Sequence, residues 1–302
     1  MSAEPAASAK KSTEKPVPSR NAISWLGRAL AAIALGLLAI TAFGNLLWKQ
    51  AGAQLAYDPR YRLTAESLEL SESAAWIHHD LRPEIFAYIE DGKPVSILDE
   101  GLTETVFQAA TAHPWIAEVH EIRKNFPARL RIVCEYRKSV AMVRVREGLL
   151  PVDVHGILLP TRDFTPQEAA QYPRIEGIDT VPSNVAGQPW GDPRVEAAAK
   201  LAEILAPYWS SMRLARIVPS TTETAQGSQI PLEVETLGGS RVIWGTAPGV
   251  RDSNEASTET KLRQLNLYFK DHGSLEDISG AKLFDLRPAA GPRITPLSPE
   301  AH

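Results

Sequence analysis

A single cysteine, Cys134, among 302 residues excludes any intramolecular disulfide. The fold must therefore rest on its core, and 44% hydrophobic residues are enough to build one. Basic excess is also missing. The 32 Lys and Arg against 36 Asp and Glu leave a net charge of −4, which argues against the broad cationic surface of a nucleic-acid binder. There is no glycine-rich phosphate loop, no HExxH and no GxSxG. The expectation is a non-enzymatic chain with no catalytic residue, no cofactor, no metal and no small-molecule substrate.

Titratable residues that stand near one another do not change this. His78 and His79 are adjacent and diverge by about 100° on a helix, so they are expected not to share a metal. Asp153 and His155 share a strand face without a nucleophile and read as a surface pair. Glu233 and Glu235 read as solvated carboxylates, because a glycosidase pair would line a cleft from separate elements. Arg123, Lys124, Arg129 and Arg131 read as a solvated hairpin, with a docking surface for an acidic partner as the alternative. Leu130, Ile132, Cys134 and Tyr136 alternate on one strand face, which makes Cys134 a core thiol.

Charge is absent from Ala29 to Leu47, a run of about 28 Å as a helix, near the thickness of a bilayer core. Trp25 and Trp48 flank it as interfacial aromatics, so a transmembrane helix is expected over 25–48, with 29–47 in lipid. Lys10, Lys11, Lys15, Arg20 and Arg28 precede it against Glu4 and Glu14, which places the N-terminus in the cytoplasm. Ala51-Gly52-Ala53 resembles a cleavage site, but the apolar run and the segment before it are longer than in a signal peptide. Ala32 and Gly36 form a small-xxx-small pair.

The rest of the chain reads as α+β. Residues 1–24 form a tail, expected to be disordered over 1–22, and 49–57 a linker. A first unit, 58–146, reads β-α-α-β-β. Its expected strand is Tyr61–Leu70, with helices opening near Asp80 and spanning Leu102–Ala112. Strands Leu130–Tyr136 and Val140–Arg146 complete it. A second, strand-rich mixed unit covers 147–290. It holds short strands within Leu150–Leu158 and a helix capped by Asp192 with Pro193 at its first position. A polar loop follows over Pro219–Pro231. Strands Leu232–Thr236 and Arg241–Trp244, a helix Lys261–Lys270 and a last strand Lys282–Arg287 complete the unit. Residues 291–302, with Pro292, Pro296 and Pro299, are expected to be a loose tail.

Several short motifs follow in a familiar order. They are His113-Pro114-Trp115-Ile116 with Val119, Arg123, Phe126-Pro127, Leu130 and Ile132; then Glu135-Tyr136-Arg137-Lys138-Ser139-Val140-Ala141; then Val152-Asp153-Val154-His155-Gly156-Ile157-Leu158. Tyr172-Pro173-Arg174-Ile175-Glu176-Gly177, Lys261-Leu262 and Phe284-Asp285-Leu286-Arg287 complete the series. Behind a basic tail and one anchor, this pattern resembles the FtsQ/DivIB family of bacterial cell-division proteins over residues 25–288. The first unit resembles that family's POTRA domain, and the second its β-domain. Lys138-Ser139 stands where the family usually has a proline, and Pro288 where an aromatic strand residue is usual.

The resemblance implies a scaffold at the division septum that links other single-pass division proteins, FtsB/FtsL-like, and the proteins of septal peptidoglycan synthesis. The rivals are a POTRA-bearing part of an envelope secretion or translocation assembly and an anchored wall-active enzyme. The first would require a β-barrel, for which residues 289–302 are too few. The second would require convergent carboxylates or a metal. The last strand is expected at a sheet edge, where Leu283, Phe284, Asp285, Leu286 and Arg287 would receive a partner strand.

Overall fold

The computed structural model describes residues 20–55, 58–72, 74–89, 95–182, 185–224, 227–250, 254–276 and 280–297. The protein is mixed α/β, with one N-terminal apolar helix and strand-rich sheets, and divides into two compact units, Met1–Pro59 and Arg60–His302.

The first unit is helix α1, Arg20–Leu55. Its Leu30–Leu47 stretch is long and apolar enough to cross a membrane, and none of it is buried within the protein. Leu35 and Ile40 are 69% and 70% exposed, so the helix has no protein cover for its apolar surface. Helix α1 overruns the expected span at both ends. Residues 20–24 of the expected tail and 49–55 of the expected linker are helical. The stretch after Trp48 is rich in Ala, Gln and Leu, and Pro59 is the next proline able to stop it. The expected disorder up to residue 19 lies outside the described residues.

The second unit opens with β1 (Leu68–Leu70), α2 (Arg82–Ile89), α3 (Leu102–Ala112), β2 (Ile116–Asn125) and β3 (Arg129–Tyr136). They form a three-stranded sheet of order β1-β3-β2, with β1 parallel and β2 antiparallel to β3. Leu68, Ile85, Val106, Trp115, Leu130 and Ile132 fill the core between the sheet and the helices. Cys134 is buried in the same core.

The element order is β-α-α-β-β, but its strands differ from those expected. The expected strand Tyr61–Leu70 is reduced to β1, because Ala65–Ser67 forms a 3-10 turn after Thr64. The strand β2 replaces Val140–Arg146. It escapes a period-2 reading because register shifts at Ile116/Glu118 and Val119/Glu121 break its alternation.

The strand expected at Val140–Arg146 is β4 (Ala141–Val145), which joins a second, larger sheet. The elements that follow are β5 (Gly148–Val152), α4 (Pro166–Ala169), β6 (Arg174–Ile175), α5 (Pro193–Leu205) and β7 (Leu214–Pro219). A small hairpin of β8 (Thr222–Thr224) and β9 (Gly227–Gln229) comes next. Then come β10 (Leu232–Thr236), β11 (Arg241–Gly245), α6 (Thr258–His272), β12 (Lys282–Asp285) and β13 (Arg293–Pro296). The eight-stranded sheet runs β13-β12-β11-β10-β7-β6-β4-β5.

Helix α5 starts as its sequence dictates. The Asp192 side chain accepts from Arg194 N–H, and Pro193 takes the first position. Its Ala198, Leu201 and Leu205 pack with Ile217, Val234, Val242, Trp244 and Phe284. The polar loop expected over Pro219–Pro231 holds the β8–β9 hairpin. Glu233 and Glu235 lie on the outer face, paired with Arg241 and Arg216.

Lys261, on the first turn of α6, is 2% exposed. Its Nζ lies 2.6 Å from Glu255 Oε2 and 5.7 Å from the centre of the Trp244 ring. The same Glu255 oxygen accepts from Thr246 N–H at 3.0 Å and its hydroxyl at 3.1 Å. One buried ion pair thus pins the loop between β11 and α6. Removing one partner strands a buried charge, whereas replacing both with apolar groups removes the desolvation cost as well. Lys261→Met is expected to cost about 3–5 kcal/mol, and Lys261→Met with Glu255→Leu to recover most of it. Urea unfolding of the full chain in detergent micelles, followed by tryptophan fluorescence, measures both.

Candidate partner-binding surface

Strand β12 continues the sheet because Phe284 and Leu286, each 1% exposed, point into the core. Helix α6 covers that face. It is capped by Ser257 and ended by Gly273 at φ 74°, a left-handed stop that favours glycine. Tyr268 of α6 meets Phe284 edge-on at 4.9 Å, and Lys282 Nζ donates to the Tyr268 hydroxyl at 2.8 Å. Leu283 and Asp285 are half-buried on the opposite face.

The structure corrects the expected edge. Strand β12 pairs parallel with β11 on one side and antiparallel with β13 on the other. The edge belongs to β13, in the segment expected to be a loose tail. Prolines are tolerated there for a positional reason. Leu297 N–H donates to Ala281 O, and the register pairs Lys282 with Pro296. Alternate residues of an antiparallel pair bond inward, so Pro296 turns its missing N–H toward the open side.

Leu286 and Arg287 lie beyond the end of β12. Leu286 N–H still donates to Ile243 O. Arg287 folds back on Asp285, with its Nε and Nη2 each 2.8 Å from a carboxylate oxygen. That guanidinium holds the Asp285 carboxyl below its ordinary range. Of the five expected partner-binding residues, two are therefore buried and two pair with each other.

A second polar constellation lies between the two sheets. Asp163 accepts from Trp115 Nε1 at 2.7 Å, and its other oxygen lies 2.8 Å from His79 Nδ1. His79 Nε2 is 3.2 Å from Glu84 Oε1, and His113 Nε2 is 3.3 Å from Glu84 Oε2. Arg162 Nη2 donates to Glu84 Oε2 at 2.6 Å. The turn before α2, helix α2, the turn after α3 and the segment before α4 meet here. In the sequence these residues are scattered, and His113-Pro114-Trp115 is their only visible marker.

Beside the constellation runs a groove of about 530 Å³ lined by Trp76, Lys138, Phe164, Glu168, Tyr172 and Glu203, among others. Asp153, expected at the surface, is buried on Arg137 at 2.9 Å, while His155 is exposed. Glu118, His120 and Glu135 form an exposed trio on β2 and β3 whose ligand atoms lie within 4.8 Å of one another. His120 is already 3.2 Å from Glu135 Oε1.

No protein-family model matches the chain, and no curated protein matches it in sequence.

Burial pushes His113 below its ordinary pKa of 6.5, against the pull of Glu84; His79 and Arg162 face the same site and push in the same direction as burial. The folded state therefore holds His113 neutral while the unfolded state takes up the proton first. Stability is expected to fall as pH drops through 6.5. Glu84 is raised by burial but lowered more by Arg162 and His113, so its contribution is lost at lower pH, below its ordinary 4.5. Urea midpoints measured from pH 7.5 to 4 are expected to show both steps. His113→Gln should flatten the first and shrink the second, which then rests on Arg162 alone.

Proposed function

We propose that this chain is a membrane-anchored, non-enzymatic scaffold of bacterial cell division, of the FtsQ/DivIB type. Helix α1 is its single anchor, with the N-terminus in the cytoplasm and Arg60 onward outside it. The β-α-α-β-β group acts as a POTRA-like module and the eight-stranded sheet as the β-domain behind it. The protein holds other single-pass division proteins, FtsB/FtsL-like, and the septal peptidoglycan synthesis proteins through protein contacts.

One observation carries this reading. A three-stranded sheet of order β1-β3-β2, covered by two helices, passes directly into a larger sheet, behind one exposed apolar helix. The order of the short motifs supports it, and three of them fall at joints of this architecture. His113–Trp115 forms the turn into β2, Arg137–Ala141 the passage between sheets, and Asp153–Leu158 the turn after β5. Lys261 is the buried lysine of α6.

Two experiments test it. A phosphatase reporter, active only outside the cytoplasm, fused after residue 290 should be active; an inactive reporter in stably expressed protein overturns the orientation. Cross-linking of the intact protein in dividing cells, followed by mass spectrometry, should capture single-pass division proteins, and their absence overturns the scaffold.

A further inference from the structure

We propose that Glu118, His120 and Glu135 form a surface site for one borderline divalent cation, Zn²⁺ above all. An imidazole nitrogen and two carboxylate oxygens would tie β2 to β3 through it. The expectation of a metal-free chain rested on sequence motifs. No motif reveals this set, because two ligands come from one strand and the third from its neighbour. The site does not depend on the scaffold reading.

Register builds the site. Strands β2 and β3 pair antiparallel, and Glu118 stands directly opposite Glu135. Like charges so placed destabilise a sheet. The register shifts between Val119 and Glu121, which face Cys134 and Val133, so His120 is the extra residue of a bulge. A bulge re-aims a side chain, and this one sets the imidazole between the two carboxylates. His120 Nε2 is 3.2 Å from Glu135 Oε1, and its Nδ1 is 3.8 Å from Glu118 Oε1.

The two carboxylates are not neutralised from elsewhere. Among the described residues, His120 is the ion-pair partner of both, and no lysine or arginine reaches either. On the same strand as Glu118, Arg123 is held by Glu121. Two residues beyond Glu135, Arg137 is spent on Asp153. Two carboxylates and a neutral imidazole carry two negative charges, which one divalent cation cancels.

Distance and ligand type select the ion. The three ligand atoms lie within 4.8 Å of one another. Tetrahedral zinc, with bonds of about 2.0–2.2 Å, spaces its ligand atoms about 3.4 Å apart. All three side chains are exposed, so rotation of the two glutamates closes the difference. An imidazole nitrogen favours zinc over calcium and magnesium, which take oxygen ligands. Three protein ligands leave a fourth position open to water. The ion would bridge the strands at the bulge, where their backbone ladder is disrupted.

The test uses the untagged full chain in detergent micelles, stripped with a chelator and titrated with zinc against a chromogenic indicator. The wild type should bind zinc saturably. Loss of an outer-shell partner alone weakens metal binding on the order of 10–100-fold, so His120→Gln and Glu135→Gln should each weaken it by about tenfold or more. Calcium in excess should not displace the zinc. Zinc should raise the melting temperature of the wild type and leave that of both variants unchanged. Equal zinc affinity in all three forms, displacement by calcium, or no saturable binding overturns the proposal.

Should a variant lose its fold, as circular dichroism would show, X-ray absorption of the zinc-loaded wild type decides. A shell of one imidazole nitrogen with oxygens supports the site. A second imidazole or a sulfur in the shell places the zinc elsewhere and overturns it.

Discussion

The passage through Arg137 sets where everything after it lies. The chain leaves β3 at Tyr136 and enters β4 at Ala141 with no slack to absorb error. Arg137 uses its backbone on both sides of the joint. Its N–H donates to Trp115 O at 2.9 Å, and its carbonyl accepts from Trp76 Nε1 at 2.8 Å. Its guanidinium crosses to Asp153, and that carboxylate also accepts from His155 and Ile157 N–H at 2.9 Å each. The side chains are 14% and 4% exposed, so the pair gives up solvation that its Coulomb energy alone does not return in surplus. Its contribution is placement: the turn after β5 cannot move without stranding a buried charge.

Packing turns this joint into a broad interface. Leu159, which follows that turn, belongs to the core of the three-stranded sheet. Trp115 sits in the same core and sends its indole N–H to Asp163. Gly187, at φ 95°, approaches so closely that a Cβ would lie 3.1 Å from Pro114 Cα. A side chain there would have to push Pro114 back by a few tenths of an ångström and would be strained at this φ, so both contact and conformation favour glycine. Beside this contact stands the Glu84, His113 and Arg162 cluster, where burial lowers the His113 pKa and couples the contact to pH.

What could be read from the sequence follows from local signals. Helix α5 was legible from Asp192-Pro193, α6 from its spacing and Gly273, and β10 and β11 from alternation around Gly238-Gly239. Strands β2 and β6 were not. Bulges scramble the first, and the second pairs over only Arg174 and Ile175. The location of the last edge was also hidden. Proline usually argues against a strand, and only the register of β13 shows that Pro296 turns its ring nitrogen away from the ladder. The inter-sheet cluster draws on residues separated by up to 84 positions in the chain, from His79 to Asp163, which no spacing rule connects.

Strand addition needs an edge, and each edge of the two sheets is guarded in a different way. Strand β1 is three residues long, and β2 is bulged and lined with Glu118, Glu121, Arg123 and Lys124. Short, bulged and charged edges resist pairing. On the larger sheet, β5 has a proline at its fourth position, and Leu159 N–H already donates to Pro151 O while Val152 bridges Leu158. The chain thus seals that side with a segment whose Leu159 is fixed in the other core. Opening it would unseat the joint around Arg137. Strand β13 is different: among the described residues it pairs with β12 alone, and Ile294 is its packing residue on the core. The two ends of the larger sheet thus differ in kind: beside β5 the closing segment is also a support, whereas β13 closes β12 without being one.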